Sequence, residues 1–81
     1  MKEDKKNKQW EIFFGTDSKG VVKSRSAEGA LYKHLNTLGV AWDYYRDVNG
    51  NALRWNDGKK GFGFYVKKGN YVDIYHVKPF Q

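Results

Sequence analysis

Two histidines, nine carboxylates and fifteen Lys or Arg side chains are the groups of this 81-residue chain suited to acid–base, metal or phosphate chemistry. His34 falls on an apolar helical face and His76 lies near the chain end, and no spacing joins them. A structural role is expected for each. No histidine and carboxylate fall at i, i+4 or alternate along one strand with ligand spacing. Asp43 and Asp47 share a strand face, but about 13 Å separates their backbones along it; pairing with Arg54 or solvation is expected. Cysteine is absent, which excludes disulfides and thiolate metal sites. There is no Ser-His-Asp order, phosphate loop or dinucleotide fingerprint. The expectation is a protein with no catalytic site, no metal and no cofactor.

Binding chemistry is better represented. Residues 59–78, KKGFGFYVKKGNYVDIYHVK, carry five lysines against one aspartate, with aromatics between them. They read as a β-hairpin. With Gly69 as the left-handed residue of a three-residue loop, Val66 faces Asn70, Tyr65 faces Tyr71, Phe64 faces Val72 and Phe62 faces Ile74. That register puts Phe62, Phe64, Val66, Val72 and Ile74 on an apolar face, and Tyr65, Lys67, Tyr71, Asp73 and Tyr75 on the other. Bases stack on aromatic faces and lysines release counterions from phosphates. The candidate nucleic-acid-binding residues are therefore Lys60, Tyr65, Lys67, Lys68, Tyr71, Tyr75 and Lys78.

Within this stretch, Lys60, Gly61, Phe62, Gly63 and Phe64 resemble the RNP1 element of cold-shock domains and RNA recognition motifs. That element is a basic residue followed by Gly, aromatic, Gly, aromatic. The resemblance implies stacking of Phe62 and Phe64 on bases and a phosphate contact by Lys60. It covers about eight residues, with Tyr65 where an aliphatic is usual and Lys67 where the RNA recognition motif has an aromatic. Cold-shock barrels lack a helix and the RNA recognition motif needs two, so the chain is assigned to neither family. The hairpin register instead buries both phenylalanines, because exposing them would also expose Val72 and Ile74, at about 1.5–3 kcal/mol per large side chain.

These residues need elements to position them. Residues 1–8, MKEDKKNK, have no apolar residue after Met1 and read as a disordered basic arm; residues 9–81 form one domain. Trp10, Ile12 and Phe14 alternate as a strand over 9–14. GTDSKG supplies a turn, and a lysine-bearing edge strand runs from Val21 to Ser24. Ala27, Ala30, Leu31, His34, Leu35 and Leu38 share one face of a helix over 26–38. Ser26 or Ser24 caps it and Gly39 ends it. Asn49-Gly50 predicts a two-residue hairpin turn pairing Tyr44 with Trp55 and Arg46 with Leu53, so that Val40, Trp42, Tyr44, Leu53 and Trp55 face the core. The order is ββαββββ: an α+β fold in which a small antiparallel sheet carries one helix on one face and curls, if at all, into a partial barrel.

A net charge of +6 favours a polyanionic partner and argues against a mimic of DNA. No apolar run is long enough for a signal sequence or membrane span, so a cytoplasmic protein without a membrane partner is expected, monomeric or homodimeric. The leading expectation is a non-enzymatic nucleic-acid-binding domain. Single strands are favoured over duplex, since no recognition helix is evident. The alternative is a protein-interaction module, such as a small phage or mobile-element factor acting on a host protein, because Tyr, Trp and Arg also anchor protein interfaces. A third is a small ribonuclease toxin using His76 with Tyr75 or a lysine.

Overall fold

Two tight glycine turns set the strand pairing. The computed structural model describes residues 7–80. Strand β1 (Lys8–Phe14) turns through Gly15-Thr16 into β2 (Asp17–Ser24), and β5 (Phe62–Lys68) turns through Gly69-Asn70 into β6 (Tyr71–Pro79). Gly15 and Gly69 have φ of +67° and +60°, and no non-glycine residue among the described residues has a positive φ. A two-residue turn opening on a left-handed glycine matches the right-handed twist of paired strands. The remaining elements are helix α1 (Ala27–Leu35), short strands β3 (Asp43–Tyr44) and β4 (Arg54–Asn56), and a 3₁₀ turn at Gly58–Lys60.

The six strands form one open antiparallel sheet in the order β2-β1-β6-β5-β3, with β4 also on β5. The α+β class and the order ββαββββ are those expected, and β2 is an edge strand. The expected arm falls mostly outside the described residues; Lys8 already belongs to β1.

The Asn49-Gly50 hairpin departs from expectation. Asp47 N–H donates to Asn51 O at 2.9 Å, and Arg46 bridges Ala52, so the loop holds three residues, not two. Asp47 Oδ1 accepts from the N–H groups of Asn49 and Asn51, which favours the wider loop. Tyr44 therefore pairs with Val66, and Trp55 with Gly63. Strands β3 and β4 lie end to end along the same edge of β5, and the hairpin between them projects from that edge. A one-residue change of register exchanges faces: Tyr44 is buried, while Trp55 points away from the core. Val40 and Leu53 are exposed rather than buried.

Ser26 Oγ accepts from Gly29 N–H at 3.0 Å and caps α1, with Glu28 in the first turn. The helix ends at Leu35, short of the expected Leu38. Thr37 N–H and Leu38 N–H donate three residues back, to His34 O and Leu35 O, so the chain tightens before Gly39 and leaves Leu38 exposed. Ala27, Ala30, Leu31 and Leu35 pack on Trp10, Ile12, Tyr44, Phe64, Val66, Tyr75 and Val77, which all face the helix. Burying each large side chain contributes about 1.5–3 kcal/mol. No helix among the described residues is long and apolar enough to cross a membrane.

Candidate ligand surface on the open sheet face

The sheet face turned away from α1 carries a continuous row across four strands: Trp55 on β4, Gly63 on β5, His76 on β6 and Phe13 on β1. Tyr65 and Ile74 form the next row on one side, and Lys78 and Glu11 the next on the other. The Trp55 and Tyr65 ring centroids are 4.9 Å apart, and His76 meets Trp55 edge-on at 5.8 Å. Lys67 Nζ lies 5.3 Å from the Tyr45 ring centroid, and Lys78 Nζ lies 5.8 Å from that of Phe13. Aromatic and cationic side chains therefore alternate over this face.

Gly63 is buried beneath Trp55: a Cβ there would collide with Cζ2, Cε2 and Cη2 of the indole. Gly61, at φ +85°, ends the 3₁₀ turn and lies against β6, where a Cβ would collide with Val77 O and Lys78. The two glycines of the RNP1-like segment thus serve packing and backbone geometry. Its two aromatics face the helix: Phe64 is fully buried and Phe62 packs beside the core. The burial expected from the hairpin holds in full for Phe64 and in part for Phe62, and the base-stacking positions implied by the resemblance do not hold.

The hairpin's second strand is shifted from the expected register. Lys68 pairs with Tyr71, Tyr65 with Ile74 and Phe64 with Tyr75. The two-residue Gly69-Asn70 turn replaces the three-residue loop and exchanges the faces of β6. Val72 and Ile74, expected in the core, are exposed on the open face. Tyr75 is instead 3% exposed in the core, in contact with Phe14 and His34.

The expected binding residues consequently separate. Lys67, Tyr65 and Lys78 share the open face, and Lys60 stands above it in the 3₁₀ turn. Tyr75 is buried, and exposed Tyr71 lies at the hairpin tip on the helix side. Lys68 is engaged there too: its Nζ donates to the Tyr75 hydroxyl at 2.5 Å and pairs with Asp73 at 3.0 Å. Burial opposes the Lys68 charge, but the Tyr75 hydroxyl and Asp73 carboxylate outweigh it and hold its pKa above the ordinary value. Trp55, Phe13, Lys59 and His76 join the open face without having been singled out as binding residues.

His76 Nε2 lies 2.8 Å from Asp57 Oδ2. Asp57 is held by the 3₁₀ turn, where its N–H donates to Gly61 O at 2.8 Å and its carbonyl accepts from Lys60 N–H at 3.1 Å. Tyr75 and His34 belong to the helix face, so neither can act beside His76. Asp43 pairs with Arg46 at 3.1 Å, not with Arg54, whose guanidinium lies over Phe62 at 5.1 Å. No group of three or more metal-ligating side chains occurs among the described residues.

A groove of about 480 Å³ opens at the Phe13 end of the row. Its lining comprises Phe13, His76 and Lys78 from the sheet, Gly15 and Thr16 from the β1–β2 turn, and Lys59 and Lys60 from the 3₁₀ turn. Comparison with family models, curated proteins and solved structures gives no match.

Proposed function

We propose that the open sheet face binds single-stranded nucleic acid, DNA or RNA, without carrying out chemistry on it. Trp55 and Tyr65 supply the stacking surface, Phe13 extends it, and Lys59, Lys60, Lys67 and Lys78 meet the phosphates. The observation that carries this function is the Trp55–Tyr65 ring pair, 4.9 Å between centroids, on a helix-free face whose lysines Lys59, Lys60, Lys67 and Lys78 pair with no carboxylate among the described residues. Unpaired bases present π-faces to such rings, whereas the paired bases of a duplex are stacked on one another. The net charge of +6 has the sign a polyanion requires. The cytoplasm is the compartment this function assumes.

Fluorescence anisotropy of a labelled mixed-sequence single strand and its matched duplex, at two salt concentrations, tests the proposal. Tighter binding of the single strand, weakened by salt and by Trp55→Ala, is expected. No binding at low salt would remove it. A protein partner is the second function, favoured by Val72 and Ile74, which are 51% and 43% exposed beside Tyr65. Salt-insensitive capture of a protein, with no affinity for nucleic acid, would select it.

A further inference from the structure

We infer that the groove beside Phe13 is a pocket for the phosphorylated end of the strand, seating a terminal nucleotide whose phosphate monoester lies among Lys59, Lys60 and Lys78. This inference rests on the single-strand function proposed above and adds what the surface would recognise at a strand end.

Three observations converge on it. The first is charge. Three lysines line the groove and no carboxylate does. Of the acids nearby in the fold, Asp57 lies 2.8 Å from His76 Nε2, Glu11, across from Lys78, accepts from the Ser18 hydroxyl at 2.6 Å, and Asp17 follows the lining residue Thr16 in the chain. A phosphodiester within a strand carries one negative charge, whereas a terminal monoester carries about 1.5–2 at neutral pH. A cluster of three ammonium groups therefore favours the monoester.

The second is shape. Small-molecule sites commonly span about 300–1,000 Å³, and the groove, at about 480 Å³, is larger than a phosphate alone requires. The Phe13 ring offers an apolar surface for the attached base, and the Thr16 hydroxyl and the His76 ring are the other polar groups of the lining. With Nε2 held by Asp57, Nδ1 is the His76 nitrogen left for a ligand. Among the described residues it makes no hydrogen bond, and no buried side-chain nitrogen or oxygen there lacks a partner.

The third is position. The groove continues the Trp55–Gly63–His76–Phe13 row. Three strand spacings of about 4.8 Å separate its ends, so a strand stacked on Trp55 and Tyr65 reaches the groove within a few nucleotides. There the β1–β2 turn and the 3₁₀ turn stand on either side.

The test uses the full chain and one oligonucleotide sequence in three forms: hydroxyl at both ends, phosphate at the 5′ end, and phosphate at the 3′ end, each with an internal fluorophore. About tenfold tighter binding of one phosphorylated form is expected, as is displacement of that form by a free nucleoside monophosphate. In Lys60→Gln/Lys78→Gln the preference should disappear, leaving the three forms equal. Lys59→Gln, outside the sheet, should reduce it independently should the double variant fold poorly. Equal affinity of the unaltered protein for all three forms would overturn the pocket and leave the single-strand surface standing. Failure to bind any form would overturn both.

Discussion

The six-membered ring of the Trp55 indole covers the Cα of Gly63, so the widest aromatic of the open face rests on the backbone of the neighbouring strand. Only a residue without a Cβ permits this approach, and it places the indole beside Tyr65 and edge-on to His76. The orientation of the Trp55 indole is therefore built into the sheet.

Gly63→Ala tests this. In an ordinary strand interior, replacing glycine stabilises by about 0.5–1 kcal/mol through the unfolded chain. Here the added methyl must displace the indole, and overpacking of this kind destabilises by about 1–3 kcal/mol. A lower urea midpoint and weaker single-strand binding are expected together. A raised midpoint with unchanged binding would show that Trp55 does not need this seat.

Stacking should divide the tyrosines by face. Trp55→Ala and Tyr65→Ala should each weaken single-strand binding by about 1–3 kcal/mol, the range for one base stacked on one aromatic. Tyr71→Ala, at the hairpin tip on the other side, should leave binding unchanged. Anisotropy titrations of the three variants decide it; a loss with Tyr71→Ala as large as with Tyr65→Ala would move the interface to the helix side.

Tyr75 belongs to the core, so its variants should affect stability. Tyr75→Phe removes the hydroxyl that accepts from Lys68 Nζ and should lower stability by about 1 kcal/mol. Tyr75→Ala would remove a buried aromatic at about 3–5 kcal/mol, much of what a domain of this size has. Thermal unfolding and anisotropy of Tyr75→Phe should show a lower Tm with unaltered affinity.

The helix, its serine cap and the ββαββββ order were legible because several local signals agreed: a 3.6-residue apolar period, Ser26 ahead of it, Gly39 beyond it. The faces of β6 were not. One face holds Tyr71, Asp73, Tyr75 and Val77, the other Val72, Ile74, His76 and Lys78, and each mixes apolar or aromatic side chains with charged or polar ones. Hydrophobic alternation leaves such a strand undecided, and the turn decides it. Gly69-Asn70 fits either loop length by composition, and the two-residue turn brings Tyr75 and Val77 over Phe64 and Phe62. Trp55 was misplaced for a related reason: Asp47 binds two backbone N–H groups of its own loop, which lengthens the loop by one residue. Lysines survived these errors better than tyrosines. Lys67 lies on the strand whose faces were read correctly, and Lys60 stands in a turn outside the alternation.

Salt dependence should follow the lysines. Each phosphate contact on a single strand contributes about 0.7 to the slope of log affinity against log salt. Lys67→Gln and Lys78→Gln should each lower the slope by about that amount, whereas Lys68→Gln, whose ammonium is held by Tyr75 and Asp73, should not. Equal slopes for all three variants would detach phosphate binding from the open face.

Acid should weaken the fold through His34. Burial holds its imidazole below the ordinary pKa of 6.5, and the ammonium groups of Lys68 and Lys19 push it further the same way. The Tyr75 ring faces it from β6, with centroids 6.1 Å apart, and supplies no compensating charge. Below pH 6.5 the unfolded chain takes up a proton that the folded chain resists, so stability falls as pH drops through this window and is fully present above it. Urea midpoints at pH 7.5 and pH 5.5 should therefore differ more for the unaltered protein than for His34→Gln, which cannot titrate. The open face lies across the sheet from His34, so single-strand affinity of the His34→Gln variant at pH 7.5 should match that of the unaltered protein. Equal pH dependence of stability in the two proteins would show that another group governs acid unfolding.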